Sequence, residues 1–183
     1  MAGYTAIELM FVAALMSILA AIAVPQAIGS IARARGLIAA KYLGGKCALA
    51  RSLAVSRGAA IGLRFVSDSR GFTFAIYQDG NHNGVRTIDI QRRVDRLIEP
   101  SIRLSDLFAG ADIGIAPGVP ESDPLQIGSA NILTFTPAGT ATSGTIYVRG
   151  QDGTQWAVRI LGATGRTRVL KYVLTTREWT DAF

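Results

Sequence analysis

Alternating oxygen-bearing side chains form the segment with the clearest spacing for metal chemistry. Asp79, Asn81 and Asn83 alternate along the chain and Gly84 follows them, which matches the opening of the calcium-binding loop of an EF-hand. The bidentate Glu of such a loop is absent, because Ile90 stands at its position. A hairpin turn between two strands, built from residues that tolerate positive φ, explains the same letters. The segment therefore has two interpretations, a calcium site and a hairpin turn.

The remaining reactive side chains are too few for an active site. His82 is the only histidine and Cys47 is the only cysteine. We therefore expect no His-based metal cluster, Ser-His-Asp triad, Cys-His dyad or internal disulfide. The carboxylates are scattered, and no pair stands out as a general acid and base. The sequence predicts a protein that is not an enzyme and needs no cofactor, with His82 exposed in its turn and Cys47 acting as a small apolar residue.

Basic side chains near the C-terminal end have a spacing that suits phosphate groups. The set consists of Arg166, Arg168, Lys171 and Arg177. Within a strand, Arg166 and Arg168 project to the same face, because side chains alternate along it. Trp179 or Tyr172 would then be available to stack on a base. The alternative is that the arginines flank a glycine turn on a solvated edge strand and discourage pairing with another sheet edge.

Glu8 is an acid placed where an apolar helix begins. Residues 9–32 carry no charge, and a helix over them is about 36 Å long, enough to cross a hydrocarbon core of about 30 Å. Only three residues precede the motif, so we expect the apolar stretch to be retained and not removed as a signal peptide. A charge at the centre of a bilayer costs about 2.5 to 3.5 kcal/mol and less near its edge. Glu8 therefore needs a compensating partner.

The N-terminal segment resembles the signal of type IV prepilins. The resemblance rests on GYTAIELM at residues 3–10 and on the apolar stretch through AAIAVP at residues 20–25. It implies that a prepilin peptidase cuts after Gly3 and methylates the new N-terminus at Tyr4. It also implies that Glu8 neutralises the N-terminal amine of a neighbouring subunit during assembly, which gives the buried carboxylate its partner.

Pro25 divides the predicted helix, because it lacks an N–H and is expected to break or kink the helix at that position. The helix then resumes to residue 57. Apolar residues at intervals of seven and four predict the face that packs on a head domain, namely Ile31, Ile38, Tyr42, Leu49 and Leu53. The opposite face carries Arg33, Lys41 and Arg51. Gly44 and Gly45 favour a close-packing point within this half of the helix.

Short β-rich runs bounded by turns replace the helical pattern after Gly58. The predicted strands are residues 61–66, 72–78, 91–99, 132–136, 145–149, 155–161 and 167–174. Seven such runs without a second long helix predict an antiparallel sheet or sandwich. Residues 105–130 contain several Gly, Pro and Asp residues without periodicity and are expected to form a long loop. The fold class is α+β, with a long N-terminal transmembrane helix packed on the head.

The head resembles the GspH/FimT family of pilin-like proteins. The landmarks, in family order, are QDGNHNG at residues 78–84, LTFTPAG at 133–139, GTI at 144–146 and GRTR at 165–168. The resemblance covers most of the chain, without the loop at residues 105–130. It implies a pilin-like fold and a minor structural subunit. In FimT-like members a basic motif of the GRxR form is associated with DNA binding, which gives Arg166 and Arg168 their functional interpretation.

These observations predict four segments: a leader at residues 1–3, a transmembrane half-helix at 4–32, an amphipathic half-helix at 33–57 and a periplasmic head at 58–183. Every charge between Glu8 and Asp68 is basic, which by charge alone favours a cytoplasmic position for the residues after the membrane span. The resemblance implies the reverse topology, with a cytoplasmic N-terminus, a single pass through the inner membrane and a periplasmic head.

Two functions follow from the resemblance. The first is a minor pseudopilin of a type II secretion pseudopilus, with a structural role in protein secretion. The alternative is a FimT-like minor type IV pilin that binds DNA for uptake in natural transformation. The expected partners are other major and minor pilins or pseudopilins, the prepilin peptidase, the inner-membrane assembly platform and membrane lipid, with DNA added in the alternative.

Overall fold

The computed structural model describes residues 5–182, without the side chains of Pro25, Ala27, Ile28 and Ala32. One long helix precedes two antiparallel sheets, and two short helices lie between strands. The helices are α1 (Ala6–Arg57), α2 (Thr87–Gln91) and α3 (Leu104–Leu107). The strands are β1 (Ile61–Asp68), β2 (Gly71–Gln78), β3 (Arg96–Ile102), β4 (Asp112–Ile113), β5 (Leu125–Gln126), β6 (Ile132–Phe135), β7 (Gly144–Arg149), β8 (Gln155–Leu161), β9 (Arg166–Val173) and β10 (Glu178–Asp181). The predicted α+β architecture is confirmed.

Helix α1 is one uninterrupted element. Thr5 caps its N-terminus, and Gly58 follows its last residue with a φ of 61°, a left-handed conformation that glycine adopts without strain. The helix does not end at Pro25, and a bend there, which the missing N–H permits, stays a prediction. Helix α1 contains a stretch long and apolar enough to cross a membrane by length and composition. All side chains of residues 5–24 are exposed in the single chain.

The second half of α1 packs on the sheets through small residues and not through the predicted apolar stripe. Its buried residues are Gly36, Ala39, Ala40, Leu43, Gly44, Cys47, Ala50 and Ala54. Ile31, Ile38 and Leu49 of the predicted stripe are 50%, 48% and 39% exposed. The stripe was wrong at these positions because small side chains let the helix backbone approach the sheets closely. Packing of this half of the helix against the head is nevertheless confirmed.

The two glycines of the predicted close-packing point behave differently. A Cβ added to Gly44 would lie 3.4 Å from Cγ2 of Val169 on β9, so Gly44 is a contact point. A Cβ on Gly45 would meet nothing within 4 Å. The closest approach lies about two turns earlier. A Cβ on Gly36 would come within 3.0 Å of Nε1 of Trp156 and 3.3 Å of Cα of Gly150. The prediction is thus confirmed for Gly44 and wrong for Gly45.

Both sheets are antiparallel. The first has the order β3-β2-β1-β6, and the second has the order β10-β9-β8-β7-β4, with β5 also paired to β7. Helix α1 contacts β1 and β6 of the first sheet and β7, β8 and β9 of the second. The largest fully buried side chains of the shared core are Phe74, Phe135, Leu43, Ile61, Leu63, Ile76, Leu104 and Leu133. The helix therefore joins the two sheets through one core.

Six of the seven predicted strands coincide with observed strands. The run at residues 91–99 was wrong in its first half, because Gln91 ends α2 and the strand begins only at Arg96. The carbonyl of Asp89 accepts hydrogen bonds from the amides of Val94 and Asp95, at 2.9 and 3.2 Å, and so closes a turn in this place. Residues 79–95 consequently separate β2 from β3, so the turn at residues 79–84 is not by itself the predicted hairpin connection.

The region at residues 105–130 is not one long loop. It holds the rest of α3 and the two-residue strands β4 and β5, both of which pair with β7. The predictions also missed β10, which covers part of β9. Strands of two residues carry no periodicity of their own. They form here because β7 offers them a partner.

Candidate functional site

Glu8 closes the first turn of α1 through a reciprocal capping arrangement. The backbone amide and the hydroxyl of Thr5 both donate to Oε2 of Glu8 at 2.8 Å, and the amide of Glu8 donates to Oγ1 of Thr5 at 3.4 Å. These bonds satisfy donors that a helix N-terminus otherwise leaves without a partner. The spacing Thr-x-x-Glu is the sequence signal for this role, which sequence reasoning missed. Gly3 and Tyr4 lie outside the described residues, so processing at these positions stays a prediction.

Arg166 and Arg168 lie exposed on the same face of β9, as the alternation predicts. Arg159 on β8 is the cross-strand partner of Arg168 and is also exposed. The three arginines line one pocket of about 480 Å³ together with residues 143–145. None of the ion pairs of the described chain includes them. Like charges opposite each other destabilise a sheet slightly, so this face has a surplus of positive charge that an anion would neutralise.

Sequence reasoning missed Arg159 as a member of this group. Arg159 lies seven positions before Arg166 and belongs to another strand, so only the register of β8 and β9 brings it beside Arg168. The sequence signal for Arg159 was a single arginine between two apolar residues in the predicted strand at residues 155–161. We call Arg159, Arg166 and Arg168 the arginine face.

Lys171 and Arg177 do not belong to the arginine face. Lys171 lies 5.7 Å above the ring of Trp156, on the side of the sheet where Trp156 meets Gly36 of α1. Arg177 lies between β9 and β10 with a φ of 55°. The four predicted basic residues are therefore spread over two faces and a turn.

The two aromatic residues predicted to stack on a base are already engaged. Tyr172 is 5% exposed. Trp179 packs against Tyr172 and Tyr147, with ring centroids 5.1 and 5.6 Å apart, and its Nε1 donates to Oε1 of Glu121. A base cannot stack on Tyr172 without displacing these contacts. The arginine face thus offers charge without a free aromatic platform among these residues.

Hydrogen bonds to its own side chains hold the loop of the calcium candidate together. The two carboxylate oxygens of Asp79 accept from the amides of Asn81 and Gly84 at 3.0 and 2.7 Å. Asn81 accepts from the amide of Asn83. The side chain of Asn83 donates to Asp89 at 3.2 Å. These oxygens organise the turn. In the described chain no group of three acidic, His or Cys residues is arranged to hold a metal ion. His82 is exposed beside them, with a φ of 61°.

An ion pair fastens α1 to the first sheet. Nζ of Lys46 lies 2.6 Å from Oε2 of Glu99 on β3, and the two side chains are 19% and 24% exposed. The hydrogen bond to Glu99 raises the pKa of Lys46 above its ordinary value. One position further, burial raises the pKa of the Cys47 thiol to about 12. Cys47 is therefore an unreactive core residue and not a nucleophile.

The model of the family "Type II transport protein GspH" matches residues 39–165. The chain belongs to the GspH family. GspH proteins are structural subunits, and the chain is accordingly not an enzyme. Neither Glu8 nor residues 166–168 of the GRTR motif lie inside the matched range.

One solved structure that matches the chain is that of the minor pseudopilin EpsH from the type 2 secretion system of Vibrio cholerae. It covers 75% of this GspH-family chain and 97% of its own length, at 17% sequence identity and a TM-score of 0.48. No curated protein sequence matches the chain significantly.

Proposed function

We propose that this GspH-family protein is a minor pseudopilin of a type II secretion pseudopilus. The observation that carries the proposal is the division of α1 between two environments. Its second half is buried against the head, while every described side chain of residues 5–24 is exposed. An apolar helix surface of this length is stable only in lipid or against other helices. Membership of the GspH family supports a filament as the place where such helices meet.

Glu8 would guide the assembly of that filament. The amide and the hydroxyl of Thr5 both donate to Oε2 of Glu8. A carboxylate accepts more than two hydrogen bonds, so Glu8 can still accept from a second partner. Cleavage after Gly3 would place a charged amine at Tyr4, and the amine of one subunit would meet the carboxylate of the next. The attraction between the two charges then offsets part of the free-energy cost of burying each of them in lipid. The pairing favours one position of a subunit along the filament axis over the adjacent positions.

The proposed topology is a single pass through the inner membrane with the head in the periplasm. The partners are other pseudopilins, the prepilin peptidase that would cut after Gly3, the inner-membrane assembly platform and membrane lipid. Co-purification of the tagged full-length chain from cells that contain the secretion machinery tests this proposal. We expect the pseudopilins of the secretion system among the captured proteins. Capture of type IV pilus subunits in their place would contradict it.

The second candidate function is a FimT-like minor pilin that binds DNA. The arginine face favours it, because three exposed arginines on adjacent strands have no ion-pair partner in the described chain. Phosphate contacts of this kind give binding that weakens steeply as salt rises. Lys171 and Arg177 are peripheral to this surface and would contribute less.

A gel shift with the full chain in nanodiscs of zwitterionic lipid tests DNA binding at low and high salt. Changing Arg166 and Arg168 to alanine should weaken the binding and flatten its salt dependence by about two phosphate contacts. Changing the exposed pair Arg92 and Arg96 to alanine removes the same charge elsewhere on the head and serves as the control. Equal binding by both double variants would contradict the DNA function.

A further inference from the structure

The outer edge of the second sheet is only partly covered by its last strand. β10 pairs with residues 170–173 of β9, and the amide of Ala182 donates to the carbonyl of Val169 at 3.0 Å. Up to Ala182, no described strand pairs with residues 166–168 on this side, which we call the open edge. Backbone groups alternate in direction along a strand, so Thr167 turns its N–H and C=O to the same side as Val169. The open edge therefore offers one donor and one acceptor to a further strand.

A groove of about 770 Å³ runs beside the open edge, between β9 and α1. Its helix wall extends from Lys41 to Ser56, which is about 22 Å of helix. Between these ends the wall consists mainly of small residues, namely Gly44, Gly45, Ala48 and Ser52, with Val55 near the end. An extended segment of about six or seven residues has this length. The small side chains leave room for such a segment beside the strand.

The side chain of Thr167 adds a further group without a hydrogen-bond partner beside this groove. Its Oγ1 is buried and has no hydrogen-bond partner within the described chain. Its Cγ2 would lie 3.8 Å from a Cβ on Gly44, so the side chain faces the helix wall. A buried hydroxyl without a partner is unfavourable, and a segment in the groove would provide one.

The charge of the groove indicates its occupant. Among the described residues, the charged lining of the groove includes Arg51 and Arg166 beside Lys41, without any Asp or Glu. The whole chain carries a formal net charge of +6, which disfavours a second copy of the same chain beside a basic groove. A partner with carboxylates along an extended segment fits both the charge and the unpaired backbone.

We propose that this groove binds an extended, acidic segment of a partner protein, which adds to β9 as a strand at the open edge. Main-chain hydrogen bonds to Thr167 provide the attachment, and the basic lining selects acidic side chains. The inference goes beyond the proposed function, because it concerns the head and does not involve the assembly of the N-terminal helix.

The binding experiment uses the full chain in nanodiscs of zwitterionic lipid and a fluorescent peptide of about eight residues that alternates Glu with Val. We expect saturable binding by fluorescence anisotropy and slower hydrogen exchange at the Thr167 amide. The same peptide with N-methyl groups on alternate amides loses donors of the ladder. We expect it to bind roughly tenfold more weakly or worse.

Two variants of neighbouring exposed residues complete the experiment. Ala48→Trp fills the groove and should abolish peptide binding, whereas Leu49→Trp, which lies outside the groove lining, should leave it unchanged. Equal binding by the two variants, or equal binding by the N-methylated peptide, would overturn the proposal. Self-association through the groove, or binding of single-stranded oligo(dT) there in place of the peptide, would also overturn it. None of these results depends on Glu8, so they are separable from a failure of the pseudopilin function.

Discussion

The glycines of α1 show how single residues set the distance between the helix and the sheets. Gly36 and Gly45 belong to the same helix, yet a Cβ at Gly36 would meet Trp156 and Gly150, and one at Gly45 would meet nothing. Alanine favours a helix over glycine by up to about 1 kcal/mol wherever space allows. The helix therefore needs glycine at one position and merely tolerates it at the other.

Two substitutions test this difference. Gly45→Ala should raise the free energy of unfolding by about 0.5 to 1 kcal/mol. Gly36→Leu should lower it by about 1 to 3 kcal/mol, because the larger side chain forces Trp156 and the backbone of Gly150 apart from the helix. Chemical denaturation of the full chain in detergent, followed by circular dichroism, measures both. Destabilisation by Gly45→Ala would contradict the exposed position of that residue.

Cys47 offers a second test at the level of one residue. Its thiol is fully buried and its pKa is raised to about 12, so at pH 8 almost no thiolate is present. We expect a maleimide to label the folded chain only at the rate of unfolding, and to label it fully in denaturant. A Cys47→Ser chain with Ser52→Cys carries an exposed thiol on the same helix and should react at once. Rapid labelling of Cys47 in the folded chain would show that the helix does not pack as described.

At the scale of elements, the pair of Lys46 and Glu99 holds α1 against β3. The pKa of Lys46 is raised in the folded chain by its hydrogen bond to Glu99. A raised pKa means that the folded state holds this proton more tightly than the unfolded state does. The contribution to stability is therefore complete below the ordinary Lys pKa of 10.5 and disappears as the pH rises through the higher pKa of the folded state.

Lys46→Met should accordingly lower the free energy of unfolding by about 1 kcal/mol or less near neutral pH, because the pair is partly exposed. The difference from wild type should shrink above pH 10.5. Denaturation curves at several pH values measure it, and Glu99→Gln provides the second arm of a double-mutant cycle. A difference that stays constant into strongly alkaline solution would show that packing of the Lys46 stem, and not the ion pair, is responsible.

The elements also show which features could be predicted from the sequence and why the other features could not. The uncharged run of residues 9–32 and the alternation within β1, β2, β7, β8 and β9 are local signals, and these elements were predicted. β4 and β5 exist only through pairing with β7. The packing face of α1 recurs at helical spacing, but it consists mainly of small residues, and the larger apolar residues beside it indicated a different stripe. Arg159 joins the arginine face only through the register of two strands. The two-residue strands and the place of Arg159 depend on contacts that no single window of sequence contains.

The whole molecule consists of a head, whose core includes the second half of α1, and an apolar half-helix whose described side chains the head does not cover. The family match lies within the head and its part of the helix. The apolar half-helix carries Glu8, whose capping role explains its position in an isolated chain. The proposed assembly gives Glu8 a second role, because only a charged carboxylate would neutralise the amine of a neighbouring subunit. The two roles of Glu8 are separable by chemistry.

Glu8→Gln separates them most directly, because glutamine preserves a capping box and removes the charge. The measurement is the fraction of tagged full-length chain that cross-links to other pseudopilins in cells with an active secretion machinery, with Glu178→Gln as the exposed control on the head. We expect normal membrane insertion of both variants and at least about a tenfold loss of cross-linked product for Glu8→Gln alone, since an unpaired amine in lipid costs roughly 2 kcal/mol or more. Incorporation of Glu8→Gln at the level of wild type and Glu178→Gln would contradict the proposed assembly through this carboxylate.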